Sequence, residues 1–455
     1  MHARPAFLTI LSALAWATIP SLCDASDGAL DPSFAGTGET SLVVASGVTP
    51  SGNAMGVAAV AGKIVIAGTG SVPAVSSTLA IARLLDDGTP DASFGNLIGQ
   101  PGRSAFDLSG VGLTFFYYAG FAASTAGTAY YLGGTSYLTP TYVGAVLRVD
   151  DTGNLDSAFA QNGYAIVDLS GGGPPHSVFA RAVAATPQGG VLVAGDDYTA
   201  TTPPSPYVVR FLADGTQDSS FNANTGFVYI PVPATAQGLG IVDIKLAAAG
   251  DIYLGIKFSP SAGGSRMALA HIDASGVLDT AFANASTLAI VDFGIGSASS
   301  YDFPTRIAVQ PGGKILVTGS VAATAAPNER CGIARFNPNG APDTAFGVAG
   351  RQDYAEVGGC DDIAVQGNRR ILVTGNQAGD HGAAFVLALN IADGSIDNSF
   401  GTAGISEFSA STPIINALAI DRSQRPVLAG NMSTPGFYVA RLTADVIYAD
   451  GFDGD

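Results

Sequence analysis

The residue types that most often carry out chemistry are scarce and scattered in this 455-residue sequence. Only three histidines follow the first 25 residues, and they are His176, His271 and His381. They share no spacing, so a zinc triad or a Ser-His-Asp arrangement would depend on the fold bringing unrelated segments together. The sequence also contains no Gly-x-Ser-x-Gly elbow, HExxH motif, phosphate-binding loop or dinucleotide fingerprint. These observations favour a protein without catalytic activity.

Acidic residues are the next candidates, and aspartates crowd four turns of the chain. The pairs are Asp86-Asp87, Asp150-Asp151, Asp196-Asp197 and Asp361-Asp362. Carboxylate oxygens at this density could hold calcium, but an EF-hand-type loop alternates its acids and ends in Glu, and none of the four does so. We therefore interpret these residues as solvated turn acids, expect no cofactor, and keep calcium as the alternative.

One pattern recurs along the whole chain. It reads Gly-x-x-Asp-x-x-Phe, and we call each copy a marker. The seven marker aspartates are Asp31, Asp91, Asp156, Asp218, Asp279, Asp343 and Asp397, and the seven phenylalanines are Phe34, Phe94, Phe159, Phe221, Phe282, Phe346 and Phe400. A Gly in a turn with positive φ, an Asp that accepts backbone N–H groups and a Phe that fills space between neighbouring sheets explain all three residues. We therefore assign the markers a structural role.

A basic residue accompanies most markers. An Arg stands eleven positions before the Phe at Arg83, Arg148, Arg210 and Arg335, and Arg441 fills the matching place in the last strand. His271 and Leu389 depart from this pattern. A repeated Arg beside a repeated Asp predicts a structural ion pair between neighbouring blades.

The elements that position these residues are short strands. Successive marker Phe residues lie 60, 65, 62, 61, 64 and 54 positions apart, which is enough for four strands with their turns. A middle strand ends in Gly in every copy, at Gly68, Gly133, Gly195, Gly255, Gly319, Gly375 and Gly430. No segment of helix length shows a 3.6-residue period, and separate sandwiches would need units of about 100 residues. The sequence predicts an all-β, seven-bladed β-propeller of four-stranded antiparallel blades.

The ends of the repeat array predict how the ring closes. Glu39 to Ala45 is a lone fourth strand, whereas Ile414 to Leu442 supplies three strands that lack a fourth. We expect these segments to form one composite blade, so that the N-terminal strand closes the last blade.

The central channel of a propeller is a common ligand site, lined by the innermost strands. If the first strand of each blade is innermost, Asp243, Asp302, Arg306 and Asp361 project there. Three or four such groups could hold a divalent metal, as in a propeller hydrolase or lactonase. Their spacing is irregular, so this metal-dependent enzyme is the alternative function, and we name no catalytic residue.

The N-terminus has the pattern of a secretory signal peptide. Arg4 supplies a basic start, Ala6 to Ile19 are apolar, and we place cleavage near Ala25. This gives a leader at 1–25, a propeller at 26–445 and a tail at 446–455. Cys331 and Cys360 then remain as a pair in an oxidising compartment, and we predict a disulfide between them, with two buried thiols as the alternative.

Charge limits the partners. The net charge of −17 repels phosphate backbones, so we expect no nucleic acid, and no further stretch is long and apolar enough to span a bilayer. We expect a secreted or otherwise extracytoplasmic monomer, in the periplasm or at the cell surface.

The stretch AVQPGGKILVTG followed by IARFNPNGAPDTAFGVAG, at 308–350, resembles the delta-60 repeat of bacterial secreted and surface proteins. All seven units resemble it, most loosely at 111–136 and 276–290. The resemblance implies a propeller-like fold and an extracytoplasmic place, and it brings no established activity. The last residues resemble a short tail found at the ends of many secreted proteins of Gram-negative bacteria.

Together these features predict a non-enzymatic binding or scaffold protein whose partner is an extracellular protein or glycan. Two candidate contact segments carry aromatic residues, Phe115 to Tyr118 and Tyr198 to Tyr207. Stacking aromatics suit glycans, whereas buried packing is the alternative for the first segment and a plain linker for the second.

Overall fold

The computed structural model describes residues 27–44, 52–72, 75–138, 140–199, 203–295, 300–323, 329–377, 383–408, 414–432 and 436–444. The leader at 1–25, His381 and the tail at 446–455 lie outside the described residues. The described side chains also leave out Phe115 and Phe116.

The described residues form seven four-stranded antiparallel sheets, which confirms the seven-bladed propeller. The strand β1 (Glu39–Leu42) precedes the first complete blade. Blade 1 consists of β2 (Asn53–Val60), β3 (Lys63–Val72), β4 (Val75–Leu85) and β5 (Arg103–Ala105). Blade 2 consists of β6 (Phe115–Ala123), β7 (Ala129–Leu138), β8 (Thr141–Asp150) and β9 (Tyr164–Ile166). Blade 3 consists of β10 (Val178–Ala185), β11 (Val191–Asp197), β12 (Ser205–Phe211) and β13 (Phe227–Tyr229). Blade 4 consists of β14 (Ala236–Leu246), β15 (Ile252–Pro260), β16 (Arg266–Ile272) and β17 (Ala289–Val291).

Blade 5 consists of β18 (Tyr301–Val309), β19 (Ile315–Ala322), β20 (Arg330–Phe336) and β21 (Arg351–Tyr354). Blade 6 consists of β22 (Cys360–Gln366), β23 (Arg370–Asn376), β24 (Ala384–Asn390) and β25 (Ile405–Glu407). Blade 7 consists of β26 (Ile414–Ile420), β27 (Pro426–Asn431), β28 (Phe437–Arg441) and β1. The helical segments among the described residues are α1 (Phe221–Asn224), α2 (Phe282–Ala285) and a 3-10 turn at Ser109–Val111, all too short to cross a membrane.

The first strand of each blade lies innermost. Each of these seven inner strands packs against the inner strands of the two neighbouring blades, and β26 contacts β2, so the ring is closed. The apolar core is divided into seven clusters, and each combines side chains of two adjacent blades. Burial of apolar surface between blades is therefore the main attraction that holds the ring together.

Blade 7 joins the two ends of the described chain. β1 pairs antiparallel with β28 from Glu39 opposite Ala440 to Leu42 opposite Phe437. Next to this pairing, the Gly28 N–H donates to the Thr443 carbonyl at 3.0 Å and the Thr443 N–H donates to the Ala29 carbonyl at 2.7 Å. The predicted closure by the N-terminal strand is confirmed.

A β-bulge in every inner strand explains the repeated Gly of the second strand. The register shifts by one residue at the same level of all seven inner strands, and the second strand passes close to the bulge there. A Cβ on Gly319 would lie 1.9 Å from the carbonyl oxygen of Phe303, and one on Gly195 would lie 1.8 Å from that of Phe179. In blades 1, 3, 5, 6 and 7 only Gly permits this approach, since a Cβ would lie at most 2.0 Å from a carbonyl oxygen.

In blades 2 and 4 the residue that faces the bulge is not the Gly that the sequence pattern predicts. The residues that face the bulge are Gly134 opposite Tyr118 and Ile256 opposite Ile241, one position after Gly133 and Gly255. In these two blades the Gly that ends the apolar run therefore does not identify the residue that faces the bulge.

The markers connect each blade to the next by a belt of seven hydrogen bonds. The residue after each marker Phe has positive φ, and its N–H donates to the carbonyl that precedes the marker Gly of the next blade. The first such bond along the chain runs from Ala35 to Asp87 at 2.7 Å, and the last, from Gly401 to Asp27 at 2.8 Å, completes the ring. The marker Gly needs its positive φ and also touches a ring, since a Cβ on Gly394 would lie 2.6 Å from the ring of Phe346. All seven marker Phe side chains are at most 2% exposed.

In five blades the marker Asp pairs with the marker Arg of its own blade, and in blade 4 Asp279 pairs with His271 at 3.0 Å, so the predicted pairing between blades was wrong in this respect. Arg83 Nε lies 2.9 Å from Asp91, because the Asp91 N–H bonds to the Arg83 carbonyl and brings the marker back beside the third strand. The link to the next blade comes from the guanidinium, whose Nη1 donates to the Asp151 carbonyl at 2.8 Å. The same Arg lies over the ring of Phe94.

Blade 6 replaces the missing Arg from another strand. Leu389 stands at the Arg position, and Arg370 at the start of β23 reaches Asp397 at 2.9 Å and Asp27 at 2.7 Å. Arg370 is fully buried and lies over Phe400. The ion pair is thus kept although its sequence position is not.

The predicted disulfide between Cys331 and Cys360 is confirmed. It joins the third strand of blade 5 to the inner strand of blade 6, so it links two neighbouring blades covalently.

Candidate functional site

The inner strands enclose a cavity of about 230 Å³ on the propeller axis. All seven contribute to its lining, and its charged side chains come from blades 3 to 6. They are Arg181, Asp243, Lys245, Arg306 and Asp362. The structure therefore places Asp243 and Arg306 in the channel, as proposed from the sequence.

Asp243 has no coordination position left for a metal. One oxygen accepts the Ile244 N–H at 2.9 Å, the other accepts the Ile307 N–H at 3.0 Å, and Lys245 Nζ lies within 3.0 Å of both. Its charge is thus balanced by a cation and its lone pairs point at backbone donors.

Arg306 is the least satisfied charge in the cavity. Its Nη1 donates to the Thr305 carbonyl at 2.9 Å, and its Nε lies 4.0 Å from Asp362, beyond hydrogen-bond distance. Burial lowers the pKa of Arg306, but Asp362 and Asp243 raise it above its ordinary value, so the group stays charged. The buried Tyr118 hydroxyl also lines the cavity and has no hydrogen-bond partner among the described residues.

Asp362 lines the cavity beside Arg306, whereas Asp361, which was also expected in the channel, is not part of its lining. Burial raises the pKa of Asp361 to about 6, and its carboxylate accepts from Asn376 Nδ2 at 2.8 Å. Burial likewise raises the pKa of Asp362, which accepts the Leu418 N–H at 2.8 Å. These bonds organise the inner strands of blades 6 and 7.

Asp302 does not join this group. It stands near the start of β18, outside the lining of the axial cavity, and is fully buried. One oxygen accepts the Phe293 N–H at 2.9 Å, and the other has no partner among the described residues. Burial raises the pKa of Asp302 to about 6, and the nearby charge of Asp292 raises it further.

The interpretation as solvated turn acids is wrong for Asp196-Asp197 and Asp361-Asp362, which lie in β11 and β22, and Asp196 and Asp197 are buried. Asp196 pairs with Arg181 at 2.9 Å, and Asp197 accepts from Tyr229 and His176, each at 2.6 Å. In the part of the chain that the structure describes, no group of three or more His, Cys, Asp or Glu side chains could hold a metal ion.

Exposed aromatic rings form a second candidate site, which we call the aromatic patch. It consists of Tyr117, Tyr137, Tyr142, Phe179 and Tyr198. Phe179 lies at the centre, with ring centroids 4.8 Å from Tyr142, 5.1 Å from Tyr198 and 6.0 Å from Tyr117. The four tyrosines are between 38% and 51% exposed.

The fold explains why these rings meet. They stand where inner and third strands begin and second strands end, so blades 2 and 3 present them on the propeller face opposite the markers. The structure thereby joins Tyr117 and Tyr198 from the two segments proposed from the sequence. Tyr118 faces the channel, and Tyr207 is fully buried with its hydroxyl on the Phe179 carbonyl.

Several residues of both sites were not found from the sequence. Arg181 and Lys245 belong to no sequence motif, and Asp362 lies in the axial cavity instead of in a solvated turn. Tyr142 and Phe179 belong to separate repeats and meet only after the blades pack. The one sequence feature that could have indicated them is that both are aromatic residues at strand ends, close to turns.

The closed ring, its marker belt and its polar channel define a β-propeller. Three segments match the family model described as "Domain of unknown function (DUF5122) beta-propeller", at residues 62–94, 187–221 and 310–346. Each begins one to five residues before the second strand of blade 1, 3 or 5 and ends at that blade's marker Phe. The chain thus carries repeats of this family, which the delta-60 resemblance fits.

No curated protein matches the chain. Among solved structures, a similar chain is "A subtype N10 neuraminidase-like protein of A/little yellow-shouldered bat/Guatemala/060/2010". It has 10% identity and a TM-score of 0.39, over 71% of this chain and 93% of that chain. This similarity carries no argument about the site or its chemistry.

Proposed function

We propose that this propeller is an extracytoplasmic binding protein without catalytic activity, and that the aromatic patch binds glycans. The observation that carries the proposal is the patch itself, in which four exposed tyrosines surround Phe179. A soluble protein seldom leaves such a contiguous apolar surface to water unless it is a contact surface.

The chemistry of the patch fits sugar rings. The C–H faces of a pyranose are apolar and stack on aromatic rings, while its hydroxyl groups need polar partners at the rim. Tyrosine hydroxyls supply such partners, and Arg181 lies 5.2 Å from the Phe179 ring centroid, over its face. The net charge of −17 favours neutral glycans over polyanionic ones.

The disulfide supports the extracytoplasmic location, since such bonds persist in oxidising compartments.

The alternative of a metal-dependent hydrolase or lactonase has less support. Asp243 is saturated by Lys245 and backbone donors, and Asp302 lies away from the channel cavity.

A glycan array followed by titration calorimetry tests the proposal. The wild type should bind neutral glycans, and Tyr142→Ala or Tyr198→Ala should each weaken binding about three- to tenfold, the value of one aromatic contact. Val348→Ala removes an exposed apolar side chain elsewhere and is the matched control. An array without neutral-glycan binding, or tyrosine variants that bind like the control, would refute it.

A further inference from the structure

A cavity of about 760 Å³ lies on the marker face, between blades 3 and 4. This is within the range of small-molecule sites. Gly190, Leu192, Arg210 and Asp218 line it from blade 3, and Leu246 and Ile252 line it from blade 4. The other blades show what normally fills this position.

Four blades place a cation there. The residue five positions before the bulge-facing Gly is Lys63, Lys314, Arg370 or Arg425, in blades 1, 5, 6 and 7 respectively. Each contacts Oδ2 of the marker Asp of its own blade, at 3.1, 2.6, 2.9 and 3.3 Å. In blades 1 and 5 the cation is a lysine ammonium, and that oxygen also binds the marker Arg.

Two further blades place a tyrosine nearby. Tyr131 and Tyr253, three positions before the bulge-facing residue of blades 2 and 4, are both buried. Their hydroxyls donate to the carbonyls of Gly189 and Pro338 in the next blade. These side chains close the space between blades without a cation.

Blade 3 has neither group. Gly190 stands at the cation position and Leu192 at the tyrosine position, since they precede Gly195 by five and by three residues. Asp218 Oδ2 still binds Arg210 Nε at 2.7 Å, and the described residues give this oxygen no second cation. The cavity therefore lies where blades 1 and 5 hold a lysine side chain.

We propose that this cavity binds a primary alkylammonium group, with the ammonium on Asp218 and the aliphatic chain against Leu192, Leu246 and Ile252. The ligand takes the place that Lys63 and Lys314 occupy in their own blades. Asp214 lines the same cavity and adds a second negative charge. A charged hydrogen bond in a cavity of this depth gives both affinity and selectivity for the cation.

The same chemistry is offered by a free amine and by a lysine side chain of a partner. Titration calorimetry with n-pentylammonium tests the first source, and N-acetyl-lysine amide tests the second. We expect saturable binding of at least one of the two probes, and 1-pentanol, of the same length but neutral, should not bind. Failure of both amines to bind, or equal binding of 1-pentanol, overturns the proposal.

Asp218→Asn should weaken amine binding about tenfold to a hundredfold, as expected for a hydrogen bond to a charged group. Asp156→Asn is the matched control, because it removes a marker charge paired with Arg148 beside the buried Tyr131. Amine binding that is unchanged in Asp218→Asn, or lost equally in the control, refutes the site.

A second variant keeps the test informative if Asp218→Asn folds poorly. Leu192→Tyr introduces the residue that blades 2 and 4 carry and should occupy the cavity without removing a charge. It should abolish amine binding while circular dichroism stays that of the wild type. A folded Leu192→Tyr protein that binds the amine normally contradicts the proposed place. Glycan binding at the aromatic patch should be unaffected, so the two proposals fail independently.

Discussion

Asp302→Asn should stabilise the protein at neutral and alkaline pH. Asp302 is fully buried, one of its oxygens has no partner among the described residues, and Asp292 adds a like charge nearby. Burial raises the pKa of Asp302 from its ordinary value of 3.8 to about 6. Asn keeps an acceptor for the Phe293 N–H but carries no charge.

The magnitude follows from the pKa difference between the folded and unfolded states. The folded state holds its proton more tightly, so the free energy of unfolding of the wild type falls as pH rises between the two pKa values. A shift of this size corresponds to about 3 kcal/mol, present in full below the lower pKa and lost above the higher one. The Asn variant has no proton to lose at this position, so its stability does not fall in this way as pH rises.

Urea unfolding at about pH 4 and about pH 8 measures the effect. We expect the variant to gain up to about 3 kcal/mol on the wild type between these conditions. Asp91→Asn is the control without this pH dependence. Although burial raises the pKa of Asp91, the Ser93 hydrogen bonds, Lys63 and Arg83 lower it overall, so the stability that Asp91 contributes is lost only as pH falls below the ordinary value of 3.8. Its replacement should therefore cost about the same stability at about pH 4 and at about pH 8. Wild-type and Asp302→Asn curves that stay parallel with pH would refute the reasoning.

Three further predictions concern the frame. Replacing both Cys331 and Cys360 with Ser should lower the free energy of unfolding by between about 3 and 4 kcal/mol, given a separation of 29 residues. Urea unfolding measures this, and the wild type with and without reductant is the control. Equal urea midpoints for the variant and the wild type would contradict the prediction. Gly319→Ala should cost about 3 kcal/mol or more because its Cβ would lie 1.9 Å from a carbonyl oxygen, whereas Gly110→Ala has open space and should be near neutral in thermal melts. Phe34→Ala should cost about 3 to 5 kcal/mol and raise hydrogen exchange in β1 and β28. Phe159→Ala, equally buried, should raise exchange in blades 2 and 3 instead, and identical exchange patterns would argue against a specific role in closure.

The ring could be predicted from the sequence because its information is local and repeated. The number of markers predicted the number of blades, and the unmatched strands at the two ends predicted that the N-terminal strand closes the last blade. The same method failed where tertiary packing sets the register. Gly133 and Gly255 end the apolar runs, yet the bulge lies opposite the next residue.

The candidate sites were less accessible to sequence reasoning. Asp243 and Arg306 were placed in the channel from their strand, but Asp302 is too near the start of β18 to reach it. The cation position became visible only when the bulge aligned Lys63 with Lys314 and with Gly190. Arg370 substitutes in space for an Arg that the sequence position lacks, which no periodicity reveals.

The composite sheet of blade 7 also makes closure depend on the two ends of the described chain. β1 is made before any complete blade, but its pairing partner β28 is made after all the others. Until then β1 is an edge without its neighbour, and its four-residue length limits the surface that it offers to other chains. Closure of the ring therefore requires the first and the last of the described strands to meet, and a chain that lacks β28 cannot form the composite blade.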